Sequence, residues 1–256
     1  MTAESAAVAC RRCCIDCSFP LSESSTSWPT CRLVERQVIL TPETTKEGGA
    51  RNKQAFTLNG GSGTHIDAPS HFIPHGRTID ALSANELVEI PLAIVDVSSF
   101  VKQNNDFSCT LQHILDDEQL SGAIAPGSLV CLRTGWAEER YGKQEYYNYD
   151  ESAPADAASA VRHMHFPAFG PDAAKFLVRE RSIVGIGIDT LSPDSPGVAG
   201  FPVHHIVLGS DRFILENLLL PTTIPARGAS AIVSPISIVG APEAPARVWA
   251  MLPATA

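Results

Sequence analysis

Between Gly63 and His75 the chain reads Gly-Thr-His-Ile-Asp-Ala-Pro-Ser-His-Phe-Ile-Pro-His. His65, Asp67, His71 and His75 therefore crowd into one short window, and this limits what can be built around it. On an extended strand alternate side chains share a face, so His65 and Asp67 project together while Thr64, Ile66 and Ala68 project the other way. Pro69 has no N–H and ends the ladder. His71 and His75 follow on the turn beyond. A lone His-x-Asp is usually a solvated, hydrogen-bonded pair. Two further imidazoles within reach make the window a donor set for a divalent cation together with a proton-transfer group.

Other function classes are disfavoured. The net charge of −9 does not suit a nucleic-acid footprint. No apolar run reaches the roughly eighteen residues of a membrane span. Arg11-Arg12 is not followed by an apolar segment, so no secretory signal is read. A cytoplasmic setting is the expectation, and the seven cysteines are then expected as thiols. Cys10, Cys13, Cys14 and Cys17 form C-x-x-C-C-x-x-C. The two halves abut, whereas a structural zinc site separates them so that a hairpin can fold between. The run Asn59-Gly60-Gly61-Ser62-Gly63 lacks the Gly-Lys-Ser/Thr ending of a phosphate loop and a following helix.

Residues 1–14 read as a polar tail, and residues 15–256 as one domain without internal repeats or a long linker. Strands are expected at Ile15–Phe19, Arg32–Leu40, Ala55–Leu58, Thr64–Ala68, Leu92–Val97, Ser128–Arg133, Ser182–Ile188, Phe213–Leu215, Ser230–Val239 and Arg247–Met251. Residues 41–52 read as a loop. Ser83 with Glu86 three residues on predicts a capping box and a short helix through Val88. Thr110–Leu120 and Pro171–Arg179 read as helices, the latter with proline early, where its missing N–H costs little. His113 is expected at the surface. Residues 137–156, rich in Tyr and charge, read as a mobile excursion. His163 and His165 read as surface or pocket-mouth residues, and Asp189 as either a strand-end site residue or a turn residue. Glu216 closes the apolar run Phe213-Ile214-Leu215, where a carboxylate is costly to bury without a partner, such as a metal ion.

The motifs resemble the metal-dependent cyclase family, which includes bacterial-type kynurenine formamidases and isatin hydrolase. Its window His-x-Gly-Thr-His-x-Asp-x-Pro-x-His is matched at Gly63, Thr64, His65, Asp67, Pro69 and His71, while Gly61 stands where the first His belongs. Arg133-Thr134-Gly135-Trp136, Asp189-Thr190 with Ser192 and Asp194, His204 followed twelve residues later by Glu216-Asn217-Leu218, and Pro245-Ala246-Arg247 also resemble it. The resemblance runs from about Ile15 to Pro253. It implies an α/β fold with a mixed, curved or barrel-like β core and flanking helices (swivelling β/β/α-like), and a homodimer or homotetramer. It also implies His65, Asp67, His204 and Glu216 as metal ligands. With Gly61 in place of a histidine, one position has lost a ligand, so one firmly held divalent ion, Zn or Mn, is expected, with a second weak or absent. His71 and His75 are the alternative proton-transfer groups, beside Glu216. Trp28, Trp136 and Phe166 are candidates to stack on an aryl ring. The activity so implied is hydrolysis of a C–N bond in a small amide. An aryl formamide such as N-formylkynurenine ranks first and a cyclic amide such as isatin second. The contrasting reading is a non-catalytic metal- or ligand-binding protein.

Overall fold

The computed structural model describes residues 13–31, 34–40 and 52–253. Cys10 and most of the expected tail, the start of the Arg32–Leu40 strand and nearly all of the expected 41–52 loop lie outside the described residues. The strands are β1 (Cys14–Asp16), β2 (Glu35–Leu40), β3 (Lys53–Thr57), β4 (His65–Asp67), β5 (Ile90–Asp96), β6 (Ser108–Cys109), β7 (Leu129–Arg133), β8 (Ala168–Phe169), β9 (Gly185–Ile188), β10 (Phe213–Glu216), β11 (Ala229–Pro235) and β12 (Glu243–Met251). The helices are α1 (Ala84–Leu87), α2 (Ser98–Val101), α3 (Leu111–Ser121), α4 (Trp136–Arg140), α5 (Ala157–Ala160), α6 (Pro171–Glu180) and α7 (Pro202–Leu208).

Strands pair in the order β12-β11-β5-β7-β9-β10-β4, and β4 returns to β12, closing a barrel, with β1 added outside on β12. β5, β7, β9 and β10 run parallel to one another, and the remaining pairings in the ring are antiparallel. The architecture is α/β, with a mixed barrel-like core and flanking helices. The parallel strands are buried on both faces, as parallel strands are, and they divide the apolar residues into two cores. Ile66, Ile94, Leu129, Cys131, Leu215 and Val248 fill the barrel interior. Val95, Val130, Leu132, Ile186 and Ile214, the alternate residues, meet Leu177 of α6 and Val203 and Val207 of α7 outside the barrel.

Several boundaries differ from the pattern-based expectation. The first strand ends at Asp16, and the histidine strand shrinks to His65–Asp67. β11 stops at Pro235, which cannot continue a ladder as donor. β12 begins at Glu243, ahead of the expected Arg247, and carries Pro245 within it. The capping box at Ser83 forms, with the Ser83 N–H donating to Glu86 Oε2 at 2.9 Å. His113 does more than decorate a surface: its Nδ1 accepts from the Thr110 N–H at 3.0 Å and so caps α3. The 137–156 stretch is anchored, not an excursion. Tyr146 is fully buried, and its hydroxyl donates to Asn217 Oδ1 at 2.8 Å. No helix among the described residues is long and apolar enough to cross a membrane.

The Arg-Thr-Gly-Trp motif joins strand ends. Arg133 donates to the carbonyls of Leu220, Pro221 and Ile224. The backbone N–H groups of Thr134 and Gly135 and the Thr134 hydroxyl donate to the Asp189 carboxylate. Burial nevertheless pushes that carboxyl up to about 6. Asp189 is therefore a clasp between β7 and the end of β9.

Candidate metal centre

β4 lies between β10 and β12, and register decides which side chains meet. His65 stands opposite Glu216 on β10, and Asp67 stands opposite Glu243 on β12. Ile66 faces the barrel interior, so its neighbours His65 and Asp67 face outward. There α7, packed on β10, delivers His204. The site is thus assembled between the barrel's outer wall and a helix, from β4 and from the consecutive elements α7 and β10 much later in the chain.

His65 Nε2 lies 3.6 Å from Asp67 Oδ1 and 3.3 Å from Glu216 Oε2. His204 Nε2 lies 3.6 Å from Asp67 Oδ2 and 3.3 Å from Glu216 Oε1. All four residues are buried. The orientation of both rings is set from behind. His65 Nδ1 donates to the Gly63 carbonyl at 2.8 Å. Gly63 adopts φ 62°, where glycine is least strained, and a side chain there would meet Leu21 at 2.7 Å. His204 Nδ1 donates to Asp194 Oδ2 at 2.7 Å, and Asp194 also accepts from the Val203 and His204 backbone N–H groups. With Nδ1 donating behind each ring, Nε2 is the nitrogen turned toward the carboxylates, where a proton or a cation can sit.

Glu216 is fixed by the residue after it. Asn217 Nδ2 donates to the Gly63 carbonyl at 3.0 Å, and the Thr64 hydroxyl donates to the Asn217 carbonyl at 2.6 Å. These bonds tie the end of β10 to the start of β4.

This donor set needs a positive charge at its centre. Both Asp67 oxygens are buried without a hydrogen-bond partner, and a buried carboxylate left so is costly. Burial raises the cost of the Asp67 charge, yet the imidazoles of His204, His65 and His71 hold its carboxyl below the ordinary range. Burial likewise pulls the His65 imidazole down, but Glu216 and Asp67 outweigh it and raise it to about 10. His204 is driven well above its ordinary range, by Asp194, Asp67 and Glu216 against burial. Either protons or a cation must stand between these groups. Imidazole and carboxylate ligands suit Zn or Mn, and the residues present fit such an ion.

The structure sorts the remaining candidates. His71, on the 3-10 turn Pro69–His71, is half-buried and lines the cavity, with Nδ1 3.9 Å from Glu243 Oε2. A nitrogen of His71, an oxygen of Asp67 and a nitrogen of His204 lie within 4.8 Å of one another. His75 is exposed on the following turn at φ 62° and does not line the cavity. The chain turns back at Gly76, whose N–H donates to Ile73, and this carries His75 outward. Trp28 lines the cavity. Trp136 and Phe166 do not: both are fully buried core residues, and the Trp136 indole N–H donates to the Tyr146 carbonyl at 2.9 Å. His163 and His165 pair with Asp150 and Asp106 at the surface, away from the cavity.

The cavity has a volume of about 330 Å³ and opens beside His65, His71, His204, Glu216 and Glu243. Phe72, Phe201 and Trp28 form its apolar wall. The Phe72 ring lies 4.4 Å from His204 and 5.5 Å from Phe201. Phe201 precedes α7 at φ 47°, a left-handed conformation uncommon for a bulky residue. Sequence reasoning missed Phe72, Phe201 and Glu243. No local pattern marks them, although Phe72 lies inside the histidine window. Burial pushes the Glu243 carboxyl up, and the nearby Asp67 charge pushes it further.

Asp194 orients a ring that would ligate an ion, so its replacement tests the arrangement from behind. Asp194→Asn is expected to weaken Mn²⁺ or Zn²⁺ binding by about 10–100-fold, read by isothermal titration calorimetry. Unchanged affinity would mean that His204 does not ligate.

Comparison with known proteins agrees with this geometry. A family model described as a cyclase matches residues 15–195. An isatin hydrolase of Roseibium aggregatum is 31% identical over 201 residues, 75% of this chain and 72% of that protein. A kynurenine formamidase of Salinibacter ruber is 28% identical over 233 residues, 91% and 94% of the two chains. The structure of isatin hydrolase A from Labrenzia aggregata bound to benzyl benzoate superposes with a TM-score of 0.83 at 27% identity, covering 94% of each chain. With its barrel, its strand-borne His-x-Asp pair and these matches together, the chain belongs to the cyclase family.

Proposed function

We propose that this protein is a metal-dependent hydrolase that adds water across the C–N bond of a small aromatic amide. One observation carries the reading: the buried Asp67 carboxylate has no hydrogen-bond donor and lies between two imidazoles that turn Nε2 toward it. His65, Asp67, His204 and Glu216 would hold the divalent ion, Zn or Mn, with one ion held firmly and a second weak or absent. A bound divalent ion supplies a polarised carbonyl and water of lowered pKa. The chain's own groups do the rest. Trp28, Phe72 and Phe201 present ring faces and edges against which an aryl group packs. A cavity of about 330 Å³ suits a small ligand of one or two rings.

His71, which lines the cavity with Nδ1 3.9 Å from Glu243 Oε2, takes a proton from the attacking water. It returns that proton to the leaving nitrogen as the water oxygen bonds to carbon and the C–N bond breaks. Likeness to isatin hydrolase structures at a TM-score of 0.83 moves a cyclic amide ahead of the aryl formamide ranked first from sequence. A homodimer or homotetramer belongs to the same proposal.

The test combines elemental analysis of the purified protein with hydrolysis assays on isatin and N-formylkynurenine, with Zn²⁺ and Mn²⁺ added back. The expected result is about one ion per chain and metal-dependent turnover, faster on isatin. A protein that neither holds nor takes up either ion would remove the basis of the reading. Tight metal binding with neither substrate turned over would exclude the aryl-amide assignment.

A further inference from the structure

The family's first motif histidine is absent at Gly61, yet the space that side chain would fill is not open. A Cβ at Gly61 would lie 3.0 Å from Glu243 Oε2 and 3.5 Å from His65 Nε2. A Cβ at Gly60 would lie 2.5 Å from Glu243 Cγ. Both glycines are therefore the floor on which the Glu243 side chain rests. Glu243 arrives from β12, directly opposite Asp67 in the antiparallel pairing. Like charges placed opposite each other on neighbouring strands repel. Here the pair is drawn together beside His65, and ligand atoms of His65, Asp67 and Glu243 all lie within 4.8 Å of one another. An arrangement that brings two carboxylates and an imidazole to one point calls for a cation between them.

We propose that Glu243 is a metal ligand that replaces the imidazole missing at Gly61, so that His65, Asp67 and Glu243 form a complete set in place of a damaged one. The assignment rests on the metal-centre reading above. It changes the character of the site: a neutral imidazole is exchanged for an anionic oxygen, which moves the donor set toward Mn²⁺ and other oxygen-preferring ions. It also makes Gly61 and Glu243 interdependent. A side chain at Gly61 presses on the Glu243 carboxylate, which must give by a few tenths of an ångström to admit it.

The experiment is calorimetric titration with Mn²⁺ and with Zn²⁺ of the metal-stripped wild type, Glu243→Gln, Glu243→Ala, Gly61→His and the double variant Gly61→His/Glu243→Ala. Circular dichroism serves as the folding control and the Mn²⁺ EPR spectrum as a second readout. Glu243→Gln keeps shape and removes charge. It is expected to weaken Mn²⁺ binding by about 100-fold, the upper end of what losing a supporting partner of a ligand costs. Gly61→His alone is expected to gain nothing. The double variant is expected to bind at least about tenfold more tightly than Glu243→Ala and to shift toward Zn²⁺, because imidazole replaces carboxylate. Wild-type affinity in Glu243→Gln would overturn the proposal while leaving the metal centre standing. So would loss of turnover with metal affinity intact, which would place Glu243 beside His71 in proton handling. No binding by the wild type would instead overturn the metal reading itself.

Discussion

Replacing Asp67 by alanine is expected to empty the metal centre and lower kcat/KM by about 10³-fold or more, since a metal ion contributes several kcal/mol to transition-state stabilisation. Asp67 shares its place between the two imidazoles with Glu216, and is the more deeply buried of the two. Its two oxygens face His65 Nε2 and His204 Nε2 at 3.6 Å each, and neither oxygen has another partner. Asp67 and Glu216 are therefore the carboxylates that His65 and His204 share, and loss of Asp67 leaves only one of them. Truncation also leaves the two buried imidazoles with Glu216 as their remaining shared carboxylate. The check is elemental analysis and calorimetry on Asp67→Ala and on Asp67→Asn, which preserves volume, beside steady-state assays. Stoichiometric, tight metal binding in both variants would exclude Asp67 as a ligand.

His71→Ala is expected to lower kcat by about 10²–10⁴-fold, the range general acid–base catalysis supplies, with metal content retained. His65 and His204 each commit Nδ1 to an acceptor behind the ring. Among the described residues the His71 ring has no hydrogen-bond partner, and the nearest carboxylate, Glu243, is 3.9 Å away. It is the imidazole left free to move a proton. His75→Ala, an exposed position off the cavity, should stay within about twofold, as surface changes away from a site do. Loss of metal in His71→Ala, in step with loss of activity, would make His71 a ligand with Asp67 and His204 and exclude it as the base.

Much of this centre was legible before any coordinates. The two-residue period of a strand placed His65 and Asp67 on one face, and the β4 register bears this out. The buried carboxylate at the end of Phe213-Ile214-Leu215 pointed to a cationic partner, and Glu216 does stand opposite His65. The family resemblance added His204 and implied the barrel. Aromatic candidates fared worse. Trp136 and Phe166 have the composition of a ring-stacking wall but are consumed by the outer core, whereas that wall is supplied by Phe72, just after the Pro69–His71 turn, and Phe201, at the start of α7.

His75 and Glu243 mark the boundary between local and tertiary information. Three residues separate His71 from His75, and sequence spacing treats them alike. A left-handed backbone at His75 and the turn at Gly76 send one ring into the cavity's lining and the other into solvent. Glu243 carried no signal at all, lying among prolines in a stretch without alternation. It meets Asp67 only because β12 closes the barrel onto β4. Periodicity is a property of one strand and can be read from neighbouring residues. The register between β4 and β12 is set by how seven strands close upon one another around a shared core, a condition that no single stretch of the chain contains.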